Sequence, residues 1–440
     1  MLSDLRRLVG GEHVLDGADA REELHDMTLL RGRADAVVRP GSAEEVAAVV
    51  AWCCERGVAI VPRGGGTGFA GGATPLGGGV VVALDRLDRV RAFEPLLWRA
   101  HVEAGVRTAT VQRLARENGL VFPVDPGAAE QSQIGGNIAT NAGGPHCFKY
   151  GVMRFWVLGL EAVLAPGELV RLGGAARKDV AGYDLTGLLC GSEGTLGIVT
   201  AAWLRLMPAP PVSLPVCGVF ADAAAGAGAI ERLLGSGVVP AAIEYLDAAA
   251  VRLAGGGFPG GLPDGGGFLV LAEADGSEDE ARELAEALGP GVLRPEPAAL
   301  WRWRDGVSHA VSAARGGKVS EDVAVPVDRL AEGVERTLEI GARHGLEACS
   351  WGHAGDGNLH STFLVVPGDE DELRRADAAA EDLLEMAIEL GGTITGEHGV
   401  GVRKNGFLSR QWAPAAVAAH RAVKAALDPH GVFNPGKKLP

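Results

Sequence analysis

The 440-residue sequence is short of aromatic side chains, 5% of the total, and its six cysteines (Cys53, Cys54, Cys147, Cys190, Cys217 and Cys349) never fall in a C-x-x-C pair. Without that spacing a self-contained iron-sulfur cluster or cysteine zinc site has no ready ligand set, and reduced thiols are expected. No run approaches the ~20 uncharged apolar residues that span a bilayer, so direct membrane insertion is not expected. The opening stretch Met1 to Asp16 carries Asp4, Arg6, Arg7 and Glu12 and lacks the apolar core of a secretory signal. A cytoplasmic location is the expectation, with any membrane association made through a partner. Positive charge is also scarce: the net charge of -15 repels nucleic-acid phosphates and anionic lipid. An anionic substrate would need a local cationic site.

What the sequence has in excess is glycine, 66 of 440 residues, about twice the average usage of roughly 7%. Much of it is clustered, which marks loops where backbone approaches a ligand. Hydrophobic content of 47% with 22% charged residues describes a soluble chain that folds. Its length calls for two or three domains.

Helical spacing predicts helices at Glu44–Arg56, Thr108–Asn118, Ala223–Leu234, Ala298–Val311, Val327–His344 and Glu370–Leu390. Short apolar runs predict strands at Val58–Pro62, Val80–Leu84 and Phe268–Glu273. Pro208, Pro210 and Pro211 mark a boundary, because proline keeps the preceding residue out of helix. The expected division is an N-terminal segment at 1–34, a first domain at 35–210, a second at 211–410 and a C-terminal segment at 411–440. The glycine-rich stretch 255–267 reads as a surface excursion.

Three glycine clusters carry the first chemical signal. Pro62-Arg63-Gly64-Gly65-Gly66-Thr67-Gly68-Phe69-Ala70-Gly71-Gly72 contains a G-x-G-x-x-G after a strand. Pro75 and Gly77–Gly79 prevent the helix that a dinucleotide fold requires there, which leaves an anion-binding nest of backbone N–H groups or a merely flexible loop. The second cluster is Ile134-Gly135-Gly136-Asn137-Ile138-Ala139-Thr140-Asn141-Ala142-Gly143-Gly144, and the third is Gly191-Ser192-Glu193-Gly194-Thr195-Leu196-Gly197-Ile198. Together they resemble the FAD-binding domain of the vanillyl-alcohol oxidase and p-cresol methylhydroxylase (PCMH) superfamily. Lys149-Tyr150-Gly151-Val152, Leu158-Gly159-Leu160-Glu161 and Gly182-Tyr183-Asp184-Leu185 look like the glycolate oxidase flavoprotein subunit and bacterial D-lactate dehydrogenases within it.

The resemblance implies an α+β chain: a two-part PCMH-type FAD-binding domain plus an α+β cap domain with an antiparallel sheet. It implies that Pro62 and Arg63 to Gly68 hold the pyrophosphate, that Gly135 to Thr140 with Gly143 and Gly144 line the flavin, and that Gly191 to Ile198, including Glu193, Gly194 and Gly197, close over the adenine side. Asn434 matches the terminal segment that returns to the flavin. No histidine stands in the first loop to tether FAD, so non-covalent binding is expected. His146 stands where close relatives usually show arginine, and it reads as a partly exposed loop histidine with no role.

A second signal lies at His353-Ala354-Gly355-Asp356-Gly357-Asn358-Leu359-His360. A four-residue hairpin loop at Gly355–Asn358 would pair Ala354 with Leu359 and set His353 opposite His360, Cβ atoms about 5 Å apart. Such a pair is either ordinary surface chemistry or half of a metal site. Glu397 and His398, flanked by glycines, add a carboxylate and a third imidazole. The order of these groups resembles the metal-dependent D-2-hydroxy-acid dehydrogenases of the same superfamily. By that resemblance His353, His360 and Glu397 hold a divalent transition metal, zinc first, that lowers the substrate hydroxyl pKa. His398 is the general base. Arg304 and Lys318 match positions that contact substrate carboxylate, Ser308 lies one helical turn beyond Arg304, and Asn358 and Thr362 are weaker supporting candidates.

The reading that follows is oxidation of glycolate, D-lactate or a similar D-2-hydroxy acid, with hydride passing to the flavin. A D-2-hydroxyglutarate dehydrogenase is the near alternative, and a non-catalytic FAD subunit of an electron-transfer complex the distant one. The electron acceptor is expected to be separate: an iron-sulfur subunit, electron-transferring flavoprotein, cytochrome or quinone. A homodimer is left open.

Overall fold

The computed structural model describes residues 1–28, 30–263 and 267–440. Part of the glycine-rich excursion expected at 255–267 lies outside them. The chain forms two compact units: residues 1–143, 151–209 and 397–440, and residues 144–150 with 210–396. The change of unit at 209/210 falls among the prolines that marked a boundary in the sequence. The chain returns to the first unit at Glu397, where the sequence reading had placed 411. Among the described residues, no helix is long and apolar enough to cross a membrane.

Two sheets build the first unit. Strands β1 (Val14–Asp16), β2 (Ala36–Val38), β3 (Ile60–Arg63) and β4 (Val80–Ala83) lie in the order β1-β2-β4-β3, with β2, β4 and β3 parallel. All four residues of β4 are buried, as a strand covered on both faces requires. The helix Ala43–Arg56 starts because Ser42 accepts from the Glu45 N–H, and it ends at Gly57, whose φ of 61° is left-handed. It buries Val46, Val49, Val50 and Cys53, and Leu5 and Val9 join the same core, so residues 1–34 belong to this body.

The second sheet is antiparallel: β5 (Val90–Glu94), β6 (Arg99–Glu103), β8 (Val157–Leu164), β9 (Glu168–Gly173) and β10 (Ile198–Arg205), ordered β5-β6-β10-β8-β9. Short strands β7 (Leu120–Val121) and β11 (Met207–Pro208) pair beside it. The C-terminal segment closes on β3, where the Asn434 N–H donates to the Ile60 carbonyl at 2.8 Å.

The second unit is one six-stranded antiparallel sheet: β12 (Leu214–Phe220), β13 (Ala242–Leu246), β14 (Phe268–Ala274), β15 (Gly317–Ala324), β16 (Ala348–His353) and β17 (Asn358–Val365), ordered β12-β14-β13-β16-β17-β15. Directly paired residues share a face, so the register decides which side chains meet. One face carries Cys217, Leu246, Leu271, Cys349, Trp351 and Leu364, packed under the helices Ala248–Ala254 and Pro297–Ala313. The same face continues into Glu244, His353, His360 and Asp322. On the other face Ser361 meets Thr337 of the helix Leu330–Arg343 at 2.8 Å.

Candidate active site

The three glycine clusters converge within the first unit. No helix begins in the first: the chain leaves β3 as a loop that runs to Gly79. The Gly191 N–H donates to the Ile138 carbonyl at 2.8 Å and the Glu193 N–H to the Ala139 carbonyl at 2.7 Å, tying the third cluster to the helix Ile134–Thr140 of the second. A Cβ at Gly194 would come within 3.0 Å of Pro62, and one at Gly135 within 2.7 Å of Ala104. At Gly66, with φ of 68°, a Cβ would overlap the Arg63 guanidinium, which itself donates to the His25 carbonyl at 2.7 Å. At Gly68 and Gly136, by contrast, a Cβ would meet no atom within 4 Å.

Asn434 is 1% exposed and donates to the Gly72 carbonyl at 2.9 Å and the Glu193 carbonyl at 2.8 Å. Its side-chain oxygen and that of Gln133 are buried with no protein partner. Glycine edges facing open space and two buried acceptors fit a ligand rich in N–H and hydroxyl donors, as the flavin and ribityl chain of FAD are. Asn137 and Thr140 turn their own side chains inward, to Thr108 at 2.6 Å and to the Gly136 carbonyl at 3.1 Å. Gly143 ends a stretch of this unit, whereas Gly144 opens the seven residues that belong to the other.

In that short stretch Lys149 and Tyr150 both bond Asp275. His146 lies against Trp301, ring centroids 4.8 Å apart, with its Nε2 3.6 Å from Glu273. It is thus a packed residue of the second unit, 24% exposed in its side chain, and no role in the chemistry follows from its place.

The hairpin register corrects the sequence reading. Trp351, not His353, stands opposite His360, because a 3₁₀ turn at Ala354–Asp356 and left-handed Gly357 make the loop longer than four residues. The slip is by two residues and therefore preserves the face. The rings of His353 and His360 still approach to 5.2 Å, perpendicular to one another.

Two carboxylates absent from the sequence reading frame these histidines. Glu244, fully buried on β13, accepts from His353 Nδ1 at 2.5 Å and from Arg304 Nε at 2.6 Å. Burial works against its ionised form, yet the Arg304 guanidinium and His353 outweigh that and hold its carboxyl below the ordinary value. Asp322, paired with His360 in register, accepts from Asn358 Nδ2 at 2.6 Å, from Thr395 at 2.8 Å and from the Gly396 N–H at 2.9 Å. The ligand atoms of Asp322 and His360 lie within 4.8 Å of each other. A lone acid inside the apolar run Ala242-Ile243-Glu244-Tyr245-Leu246 was the signal that could have revealed Glu244.

The cationic groups sit on the same face. Lys318 donates to the Ser308 hydroxyl at 2.5 Å and carbonyl at 3.2 Å and lies 4.9 Å from the Trp351 ring, which is 6.2 Å from the ring of His360. Burial lowers its pKa to about 8. Arg304 and Ser308 project one turn apart from the helix Pro297–Ala313, while Thr362 bonds Ser320 at 2.8 Å.

Glu397 and His398 follow Gly396 directly on the chain and belong to the first unit. His398 Nε2 is 4.0 Å from Glu397, and its ring stacks on Phe69 of the first glycine cluster at 4.8 Å. The next residues are held by Glu193, whose carboxylate accepts from the Val400 N–H at 2.9 Å and the Gly401 N–H at 2.7 Å. The Glu193 carboxylate is thus spent on neighbouring backbone, at a residue turned to a left-handed φ of 53°.

The profile of the C-terminal domain of FAD linked oxidases matches residues 211–438, and that of an FAD binding domain matches residues 34–173. The chain belongs to the FAD-linked oxidase family. Within the family it is 38% identical over 415 residues to glycolate oxidase subunit GlcD of Bacillus subtilis (strain 168), covering 92% of this chain and 88% of that one. It is 36% identical over 427 residues to D-2-hydroxyglutarate dehydrogenase of Xanthomonas citri pv. viticola, covering 91% and 88%. The structure of p-cresol methylhydroxylase with substrate bound superposes with a TM-score of 0.78 over 99% of this chain and 96% of that one, at 20% identity. That likeness establishes the PCMH-type fold, with its two-part flavin domain and antiparallel cap sheet. As a member of the family the chain is an FAD-linked oxidoreductase.

Proposed function

We propose that the chain oxidises a small D-2-hydroxy acid, of the glycolate or D-lactate class, to the 2-oxo acid. One observation carries this: His353, His360, Arg304, Ser308 and Lys318, scattered over 57 positions of sequence, are gathered on or over one face of one sheet. The names of the relatives, a glycolate oxidase subunit and a D-2-hydroxyglutarate dehydrogenase, support the substrate class.

FAD, held without a covalent bond by the three glycine clusters and Asn434, supplies the acceptor for the α-hydrogen and its electron pair. A divalent metal, zinc first, held by His353, His360 and Glu397, supplies polarisation of the substrate hydroxyl. Imidazole and carboxylate are the donors such an ion takes, and Glu244 behind His353 is the usual support for a ligating histidine. Asp322 holds Asn358 and the Gly396 N–H, which sets the chain leading into Glu397. His398 takes the hydroxyl proton. Lys318, held by a hydroxyl and an indole and not by a carboxylate, attracts the substrate anion.

A second reading, oxidation of D-2-hydroxyglutarate, is favoured by one observation. The Trp351 indole neighbours both Lys318, at 4.9 Å, and His360, at 6.2 Å, which suits a second carboxylate bound at Lys318 while the hydroxyl is held at the histidines. A separate electron acceptor takes the electrons from the flavin. Anaerobic titration of the purified protein with glycolate, D-lactate, D-malate and D-2-hydroxyglutarate tests both readings. Bleaching of the flavin spectrum by the shorter acids supports the first, bleaching by the dicarboxylates alone supports the second, and bleaching by none refutes both.

A further inference from the structure

Glu244 has two oxygens and two clients of different kinds. Oε1 accepts from His353 Nδ1 at 2.5 Å, and Oε2 accepts from Arg304 Nε at 2.6 Å, with Arg304 Nη2 against the same oxygen. The side chain is 0% exposed, so water does not compete for either oxygen. A second acid, Glu273 of β14, accepts from Trp301 Nε1, one turn before Arg304 on the helix Pro297–Ala313.

We propose that Glu244 is a positioning residue that orients the imidazole of His353 for ligation through Nε2 and fixes the guanidinium of Arg304, coupling metal binding to substrate binding. The proposal rests on the reading of His353 as a metal ligand and of Arg304 as a substrate contact. A carboxylate that accepts from Nδ1–H fixes the tautomer that leaves the Nε2 lone pair for an ion and makes the ring more basic. The same carboxylate holds Arg304 Nε, which keeps the guanidinium plane from turning. One residue on β13 therefore sets two groups that are 49 positions apart in sequence and come from a helix and a different strand.

The coupling has a signature that a structural role lacks. Glutamine at this position has the same shape but one acceptor oxygen for two donors, and its amide N–H₂ must face either His353 or Arg304. Removing the arginine frees that oxygen for His353. Glu244→Gln should therefore weaken Zn²⁺ binding, and Glu244→Gln combined with Arg304→Met should recover it.

The test uses the FAD-loaded protein and Zn²⁺ alone, titrated in competition with a chromophoric chelator, with the flavin spectrum and thermal melting point as controls for folding. Glu244→Gln should bind Zn²⁺ about 10- to 100-fold more weakly with its flavin spectrum unchanged. The double variant should return to within roughly threefold of the wild type, whereas a merely structural lesion would add to the first loss. Wild-type affinity in Glu244→Gln, or no recovery in the double variant, overturns the proposal while leaving the metal reading intact. Should Glu244→Gln not accumulate folded, Glu244→Asp serves, since a carboxylate one methylene shorter cannot reach both clients; undiminished affinity in it overturns the proposal equally. Wild-type protein that takes up no Zn²⁺ while retaining FAD refutes the metal reading itself, and the proposal with it.

Discussion

The glycine loops of the first unit and the sheet face of the second are built on opposite principles. In the loops the chemistry belongs to the backbone: Gly66 and Gly194 have left-handed φ angles of 68°, Asn434 bonds two carbonyls, and even Glu193 uses its carboxylate to hold other backbone. On the sheet face it belongs to side chains: Glu244, Lys318, His353 and His360 share that face through the register of their strands, and Arg304 reaches it from the helix Pro297–Ala313. A backbone site is sensitive to the addition of a single Cβ. A side-chain site is sensitive to which residue stands opposite which.

The largest effect should come from the base. His398→Asn is expected to slow flavin reduction in single-turnover mixing by roughly two to four orders of magnitude, with FAD and most of the metal retained. Near wild-type reduction, or metal loss as complete as in His353→Ala, would show that His398 has a different task. Next come the ligands: His353→Ala and Glu397→Ala should each weaken metal binding by about 10- to 100-fold and lose turnover. A chelator should abolish activity with the flavin still bound, and Zn²⁺, Mn²⁺ or Co²⁺ should restore it. Full activity in protein that elemental analysis shows to lack transition metal would remove the sheet-face half of the comparison.

Gly66→Val probes the other half. The new side chain would overlap Arg63 at a left-handed φ of 68°, a conformation that costs a non-glycine residue roughly 1–2 kcal/mol. FAD affinity should fall about tenfold or more, read from the flavin content of the purified protein, while Zn²⁺ uptake changes little. Loss of Zn²⁺ together with FAD would show that the two sites are not separable in this way. In the wild type, acid or heat should release free FAD; flavin fluorescence that stays with the denatured chain would contradict non-covalent binding.

The smallest effect is in pH. Burial lowers the Lys318 pKa to about 8, so the ammonium is charged below that value and loses its charge as pH rises through it. Attraction for the substrate anion is present on the acid side and lost on the alkaline side. The kcat/KM profile should fall above pH 8 by about tenfold per unit, and Lys318→Arg, which stays charged, should remove that limb. An alkaline limb unchanged by the substitution would mean that another group controls it.

Local chemistry made much of this protein legible without coordinates. Ser42 and Gly57 delimit the helix Ala43–Arg56 by capping, and Asp222 caps the helix Ala223–Leu234, which lies where helical spacing placed it. The glycine clusters announced a backbone site because glycine's freedom is a property of the residue itself. The return of Asn434 was visible only through family resemblance. What lay beyond local reading was pairing. Whether His353 faces His360 depended on a 3₁₀ turn in the connecting loop, and the answer moved by two residues. Residues 144–150 belong to the second unit, where Lys149 and Tyr150 reach Asp275, more than a hundred positions away. Glu244 and Asp322 look alike in sequence to any buried-strand acid, and only the register of β13 with β16 and of β15 with β17 brings each beside a histidine. Caps, periodicity and glycine act over a few residues and are written in the sequence itself, whereas cross-strand neighbours are chosen by turn length and by which faces the core buries, and these the tertiary structure alone decides.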